Sequence, residues 1–269
     1  MNFITISEML GTNGETIARK VAKIMDYPFY GREELFKAAE EMGSLHDIEK
    51  VEIKSPPFLE KFFSDQPKIY LDRFQSVIYE VAKKGNALFF GKGSTILLRS
   101  FNCAFHVLVI GSTEKRIQRV METSHVRREV AERMVQTSDR EKRGFIRYAF
   151  DESWPNPLLY DLTLNTDMLT SDTAIKLIVE AAKAEEIKAC GIDAVKLLRK
   201  FSLQRRIESA LLEAGIMNPH LFFEVEDTDL VRLFGSVGSS AEKKEVMEIL
   251  KEIKEIKRIK DDLAVLTMR

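Results

Sequence analysis

A glycine-containing loop near the N-terminus has the residue types of an anion-binding turn. It reads Gly11-Thr12-Asn13-Gly14-Glu15-Thr16, follows the β-branched run Phe3-Ile4-Thr5-Ile6 and leads directly into a stretch with helical spacing. Backbone N–H groups at the start of a helix attract anionic oxygen, and glycine lets a phosphate approach the backbone closely. The loop lacks the lysine that ends a complete phosphate-binding motif, so an ordinary turn between strand and helix remains an open alternative.

A densely charged segment between residues 123 and 157 is the second place where chemistry could occur. Its basic residues are His125, Arg127, Arg128, Arg133, Arg140, Lys142, Arg143 and Arg147. One interpretation is a solvated helix face. The other is a mobile lid whose arginines close over a polyphosphate.

The composition limits the classes of function. The 269 residues include 41 Lys and Arg against 42 Asp and Glu, which gives a formal net charge of −1. This balance provides no basic surplus for binding nucleic acid, and 45% hydrophobic with 31% charged residues is typical of a globular protein. No segment reaches the roughly 18 uninterrupted apolar residues of a membrane span, and the first residues do not resemble an export signal. We therefore expect a cytoplasmic protein.

The two cysteines, Cys103 and Cys190, are too few and too far apart for a disulfide framework or a structural zinc site. The four histidines do not cluster near them. The sequence predicts that both cysteines are reduced, buried thiols.

Strand and helix patterns alternate over residues 1–183. Apolar runs at 87–91, 106–110 and 160–165 predict buried parallel strands, and the spacing of apolar residues predicts a helix over 66–84. Ser171 or Asp172 is expected to cap the helix that follows the third run. This alternation predicts a doubly wound α/β structure, with residues 1–183 as its domain.

The pattern changes after residue 183. Residues 184–199 are interpreted as a linker with a connecting helix, and residues 200–269 as an α-β-β-α-β unit. In this unit a hairpin turns at residues 227–229, and Ser239 with Glu242 forms a capping box. Gly235 interrupts a strand pattern, where glycine often marks a close backbone approach. We predict a separate small α+β domain.

Several short segments together resemble a known family. They are Ile4–Ser7, Gly11–Ala18, Tyr27–Tyr30, Phe90–Gly93, Glu114–Met121, Asp151–Pro157 and Tyr160–Asn165. In order and spacing, residues 2–183 resemble the cytidylate kinase-like family, a branch of the nucleoside monophosphate kinases with the P-loop fold. The resemblance implies a P-loop kinase-like parallel sheet flanked by helices.

The resemblance also implies phosphoryl transfer from ATP to a nucleoside monophosphate, with CMP or dCMP as the preferred acceptor. It places Gly11, Thr12, Asn13, Gly14, Glu15 and Thr16 around the donor phosphates, with the Thr16 hydroxyl on Mg²⁺. The groups that it implies for catalysis are Lys92, Arg116, Arg119 and Arg143. Lys92 stands where the family has an arginine near the acceptor phosphate, and Arg32 is a second candidate contact to that phosphate.

Two departures from the family pattern leave a second hypothesis open. Glu15 stands where the family has a basic residue, and a carboxylate there would repel phosphates. Gly31 follows Tyr30 where the family commonly has Asp. The alternative to a kinase is a non-catalytic nucleotide-binding pseudokinase that signals through the C-terminal domain.

Residues 200–269 resemble a BON domain, a small module proposed to bind phospholipid or other ligands. The resemblance is carried by Leu203–Leu211, Val231–Val237 with Ser240–Glu242, and Ile259–Val265. Because acidic and basic residues are nearly balanced in this segment, attachment to an anionic membrane is not favoured. We expect a small ligand or a protein partner.

Overall fold

A computed structural model describes residues 2–42, 67–91, 93–187 and 190–266. Of these, residues 2–38 and the described residues between 84 and 191 form one compact unit, and residues 39–42, 67–83 and 192–266 form a second. The second unit therefore includes residues 67–83 as well as the C-terminal part. The domain boundaries drawn from the sequence, at residues 183 and 200, stay a prediction.

A five-stranded parallel sheet is the centre of the first unit. Its strands are β1 (Phe3–Glu8), β2 (Phe29–Tyr30), β3 (Ala87–Phe90), β4 (Ala104–Ile110) and β5 (Leu162–Asn165), in the order β2-β3-β1-β4-β5. The central strand β1 pairs with β3 on one side and with β4 on the other. The prediction of an α/β structure with a parallel sheet is confirmed. All carboxyl ends of the strands consequently lie at one edge.

Helices flank this sheet, as the alternating pattern predicts. Along the chain they are α1 (Gly14–Met25), α2 (Arg32–Glu41), α4 (Ser94–Leu98), α5 (Thr113–Ser124), α6 (Arg128–Phe150) and α7 (Ser171–Ala182). A helix between α2 and α4 in the chain, α3 (Pro67–Ala82), belongs to the second unit. Ile17 and Val21 of α1 pack with Ile178 of α7 in the buried core of the sheet. Among the described residues, no helix is both long enough and apolar enough to cross a membrane.

The cap of α7 differs from the expectation. Thr170, and not Ser171 or Asp172, precedes the first helical residue, and its hydroxyl accepts a hydrogen bond from the Thr173 N–H at 3.2 Å. The helix therefore begins at Ser171, one residue earlier than a Ser171 cap and two residues earlier than an Asp172 cap would give, because threonine is also a good capping residue.

A buried polar network crosses the middle of the sheet. The Thr5 hydroxyl lies 2.7 Å from His106 Nδ1 and 2.9 Å from the Thr95 hydroxyl, and the His106 N–H donates to Asp161 Oδ2 at 2.7 Å. Burial lowers the pKa of His106 to about 4, although the nearby Asp161 carboxylate favours the charged form. A neutral imidazole is thus part of the folded sheet.

The two cysteines form a disulfide, so the prediction of reduced thiols is wrong. Cys103 lies just before β4 and Cys190 follows α7, with 5.0 Å between their Cα atoms and 87 residues between them in sequence. Sequence spacing could not reveal this pairing, because the fold of the intervening chain brings the two positions together.

The second unit contains a three-stranded sheet of β6 (Leu221–Asp227), β7 (Leu230–Val237) and β8 (Arg258–Val265). The hairpin β6-β7 is antiparallel, and β8 adds parallel to β7. Helices α8 (Ile192–Glu213) and α9 (Ser240–Glu252) contribute Ile207, Leu211, Val246 and Leu250 to the core with strand residues of β7 and β8. The order α-β-β-α-β agrees with the sequence pattern.

Two local predictions for this unit can be compared with the structure. The connecting helix and the helix expected at residues 203–211 are one continuous helix, α8, which no glycine or proline interrupts.

Gly235 has φ +98°, and a side chain there would collide with the His220 carbonyl, which accepts a hydrogen bond from the Ser236 N–H. The close backbone approach predicted at Gly235 is confirmed.

His106 predicts a specific pH window of stability. Its folded-state pKa lies below the unfolded value, so the unfolded chain binds more protons between about pH 6.5 and 4, and folding stability falls as the pH falls through that range. The effect should be about 2–3 kcal/mol in urea unfolding and should be absent in His106→Gln. The exposed His220→Gln serves as control. Equal pH dependence of the wild type and His106→Gln would contradict the assignment.

The disulfide predicts a response to reductant. Denatured, unreduced protein should show no titratable thiol, and reduction should lower the free energy of unfolding by about 2–4 kcal/mol, because the unfolded chain loses a long cross-linked loop. A Cys103→Ser/Cys190→Ser double variant should not respond to reductant. Detection of two free thiols before reduction would show that the bond does not form.

Candidate functional site

The candidate site lies at the edge of the sheet where the central strand ends. β1 ends at Glu8, residues 9–13 form a turn, and α1 begins at Gly14. The chain continues from β1 through α1 to β2 on one side of the sheet, whereas β4 lies on the other side of β1. Ligands of open α/β sheets bind outside the carboxyl ends of the strands at such a change of direction.

The backbone of the turn is tightly curved. Gly11 and Asn13 have φ values of +87° and +60°, and a Cβ on Gly11 would lie 2.5 Å from the Arg116 carbonyl oxygen. Glycine is therefore required at position 11. Thr12 is buried, and its hydroxyl donates to the Met9 carbonyl at 2.8 Å. The sequence-predicted residues Gly11–Thr16 thus form a compact turn that opens into a helix.

A carboxylate from this chain occupies the start of the helix. The Gly14 N–H donates to Glu8 Oε2 at 2.8 Å, and the Thr12 hydroxyl lies 3.3 Å from the same oxygen. A Cβ on Gly14 would come within 2.5 Å of Glu8 Cβ, so only glycine leaves room for this side chain. Sequence reasoning missed Glu8. The available sign was an acidic residue at the end of the strand that precedes an anion-binding turn.

Lys142 of α6 reaches the same turn. Its Nζ donates to the Glu8 carbonyl oxygen at 2.6 Å and lies 5.6 Å from the centre of the Trp154 ring. Burial raises the pKa of the Glu8 carboxyl, while Lys142 and the hydrogen bonds from Gly14 and Thr12 oppose that rise. One cation of the densely charged segment is thus brought to the loop by α6.

Arg116 is a buried link between the loop and α6. Its guanidinium is paired with both carboxylate oxygens of Asp139, at 2.7 and 2.9 Å, and Nε donates to the Leu10 carbonyl at 2.8 Å. The residue is only 2% exposed. In this structure the guanidinium positions protein groups, and its implied contact with phosphate stays a prediction.

Arg119 binds the other side of the turn. One Nη donates to the Thr166 hydroxyl at 2.9 Å and approaches the Gly11 carbonyl at 3.5 Å, and the second donates to the Thr166 carbonyl. Thr166 directly follows β5. Arg119 therefore joins the loop to the end of a neighbouring strand, and a role in catalysis for it is likewise untested.

The remaining predicted residues are dispersed around the turn. Glu15 forms an ion pair with Arg19 at 2.9 Å, which partly neutralises its charge one helical turn along α1. Thr16 is exposed in the first turn of α1, and Arg32 is exposed at the start of α2. Arg143 is exposed on α6, next to Lys142 in sequence. Lys92 lies outside the described residues.

Helix α6 extends beyond the loop to the turn after β3. A side chain at Gly93 would collide with the Phe150 ring at the last residue of α6. Both Lys142 and Phe150 therefore place α6 along the edge of the sheet where the strands end. Helix α6 is the element that can bring basic side chains over a ligand at this edge.

The buried Arg116–Asp139 pair predicts a large effect on stability. Arg116→Ala or Asp139→Ala should lower the free energy of unfolding by about 3–5 kcal/mol, because each leaves one buried charge or polar group unpaired. The matched control is Arg143→Ala on the exposed face of α6, which should change stability by less than about 0.5 kcal/mol. Unfolding in urea measures both. An Arg116→Ala effect no larger than the control would contradict a positioning role.

The fold of this chain is similar to that of solved structures. A solved structure of an uncharacterized protein from Eubacterium ventriosum shares the fold at 18% identity and a TM-score of 0.56, covering 69% of this chain and all of that one. Shikimate kinases from Bacteroides thetaiotaomicron and Acinetobacter baumannii match at TM-scores of 0.42 and 0.41, with 10% and 13% identity. They cover 68% and 70% of this chain and 99% and 96% of their own chains.

No curated protein matches the chain. A family model does match, over residues 3–168, which include the whole parallel sheet and helices α5 and α6. The model describes the cytidylate kinase-like family. The chain belongs to the cytidylate kinase-like family.

Proposed function

We propose that this protein is an ATP-dependent nucleoside monophosphate kinase, with CMP or dCMP as the preferred acceptor. The observation that carries the proposal is an anionic oxygen seated at the start of α1, where Glu8 accepts the Gly14 N–H at 2.8 Å. The loop of a family member thus accommodates the kind of atom that a donor phosphate would present. Membership of the family supplies the reaction class.

The residues of the loop fit a nucleotide donor in their chemistry. Gly14 adds no side chain at the first helical position, where its N–H already binds an oxygen, and Thr16 is exposed at the first turn of α1. Mg²⁺ is commonly held by one or two protein oxygens together with substrate phosphates and water. The Thr16 hydroxyl is proposed as the protein ligand of Mg²⁺, as the family resemblance implies.

Catalysis of phosphoryl transfer depends on positioning and on cations near the moving phosphoryl group. When bound, ATP would supply the phosphoryl group, and an accompanying Mg²⁺ would supply positive charge against its phosphates. This chain supplies Lys142 at the loop and exposed Arg143 beside it on α6. Lys92 and Arg32 are proposed to hold the acceptor phosphate, and Arg116 and Arg119 to keep the loop in place.

The second candidate function is a non-catalytic nucleotide sensor. It is favoured by the two carboxylates of the loop region, Glu8 and Glu15, and by the absence of a lysine after Gly14. Under this alternative the site binds nucleotide without transfer. Either function would fit a cytoplasmic location, where ATP and nucleoside monophosphates are abundant.

The C-terminal residues 200–269 are proposed to act as a BON-like binding module that regulates or localises the kinase. The proposal is supported by a small sheet with one face covered by α8 and α9, as an independent domain requires. A cleft of about 350 Å³ in the second unit is lined by Arg199, Arg206, Asp229 and Lys257 among other residues. Its charged lining suits a small polar ligand.

A coupled assay for ADP release tests the proposed activity. Purified protein with ATP, Mg²⁺ and each of CMP, dCMP, UMP and AMP should release ADP only when an acceptor is present, most rapidly with CMP or dCMP. Thr16→Val should lower the rate because it removes the hydroxyl proposed to bind Mg²⁺. Reactions without acceptor serve as the control.

The outcomes separate the two functions. Binding of ATP without ADP release for any acceptor would exclude the kinase and favour the sensor. If neither ATP nor any monophosphate raises the melting temperature, both proposals fail, because a ligand that binds the folded state must stabilise it.

A further inference from the structure

We infer that the Glu8 carboxylate is an internal substitute for a phosphate, and that a nucleotide binds by replacing it and taking over its cation, Lys142. The inference rests on the proposed function, since it concerns the same loop. It gives specific roles to two residues, Glu8 and Lys142.

The position of the carboxylate supports the first part. An N–H at the first turn of a helix has no partner within the helix, and here the Gly14 N–H is satisfied by Glu8 Oε2 at 2.8 Å. The Thr12 hydroxyl, which donates to the nearer Met9 carbonyl at 2.8 Å, lies 3.3 Å from the same oxygen. Glu8 therefore takes the first N–H that the start of α1 would offer to an anionic ligand.

The Glu8 carboxylate and a phosphate cannot both bind at the Gly14 N–H, because the space is limited and both groups are negatively charged. A Cβ on Gly14 would lie 2.6 Å from Glu8 Oε2, so the carboxylate fills the volume directly against the turn. Two anions in one enclosed site repel each other strongly. A phosphate that uses the Gly14 N–H must consequently displace the carboxylate.

Lys142 is held beside the turn by α6. Its Nζ donates to the Glu8 backbone carbonyl at 2.6 Å, and its charge also acts on the Glu8 carboxylate. The Arg116–Asp139 pair fixes α6 three residues before Lys142, and residues three apart on a helix share a face. We therefore expect the ammonium to attract a phosphate that takes the place of the carboxylate.

The environment also makes Glu8 a replaceable occupant. Burial raises the pKa of its carboxyl, which means that the surroundings disfavour the anion despite Lys142 and two hydrogen-bond donors. A phosphate carries more charge and accepts more hydrogen bonds than one carboxylate.

Binding titrations without turnover test the inference. The affinities of the wild type, Glu8→Gln and Glu8→Ala for ATP and for inorganic tripolyphosphate would be measured by calorimetry. We expect the affinity to rise in that order, by roughly tenfold or more from wild type to Glu8→Ala, because charge is removed first and volume second. Glu15→Gln removes another carboxylate of the same turn, but one that does not accept the Gly14 N–H. It should therefore raise the affinity clearly less than Glu8→Gln does.

A second pair of variants tests the cation. In the Glu8→Ala background, Lys142→Ala should weaken tripolyphosphate binding roughly tenfold or more, and Arg143→Ala, its neighbour on α6, should weaken it less. Circular dichroism and the melting temperature without ligand show whether each variant is folded. Should Glu8→Ala fail to fold, the comparison between the wild type and Glu8→Gln still decides the matter.

The results distinguish this inference from the proposed function. If the wild type binds ATP as tightly as, or more tightly than, the Glu8 variants, the inference is wrong and the nucleotide site remains. Binding by the variants alone would support it directly. If no folded variant binds either ligand, the inference and the proposed function both fail.

Discussion

The buried guanidinium of Arg116 is the contact on which the arrangement of the site depends. It is paired with Asp139 of α6 and donates to the Leu10 carbonyl of the turn, while its own carbonyl approaches Gly11 closely. A charge removed from water in this way is tolerated only when every donor has a partner. The loop and α6 are therefore held in fixed register at the carboxyl edge of the sheet. Lys142 and Glu8 meet because of that register.

The balance of charge at the turn follows from this arrangement. Glu8 and Glu15 are both acidic residues of the loop region, and each has a cation nearby. Lys142 approaches Glu8 from α6, and Arg19, which also pairs with Glu34, approaches Glu15 on α1. These cations partly offset the negative charge that would repel an incoming phosphate.

The parallel sheet and the order of elements could be predicted from the sequence to a large extent. Apolar runs such as 87–91 and 106–110 form strands that are buried on both faces of the sheet. The helices between them have apolar residues at helical spacing. Both patterns involve residues close together in sequence, so they can be recognised without the structure. Gly235 was predictable for the same reason, because a glycine within a strand has few structural explanations. Membership of the family followed from short segments in a fixed order.

The sequence by itself determined the fold class, the position of the glycine-containing turn between β1 and α1, and the basic character of the segment over residues 123–157. Tertiary structure alone decided which side chains meet there. Glu8 reaches Gly14 across six residues, but Lys142 reaches Glu8 across 134, and Cys103 bonds to Cys190 across 87. Such pairings depend on how helices pack on the sheet, and a packing geometry leaves no periodic trace in the sequence. For that reason the basic residues of α6 could be recognised as a group from the sequence. Which of them contacts the loop could not be predicted.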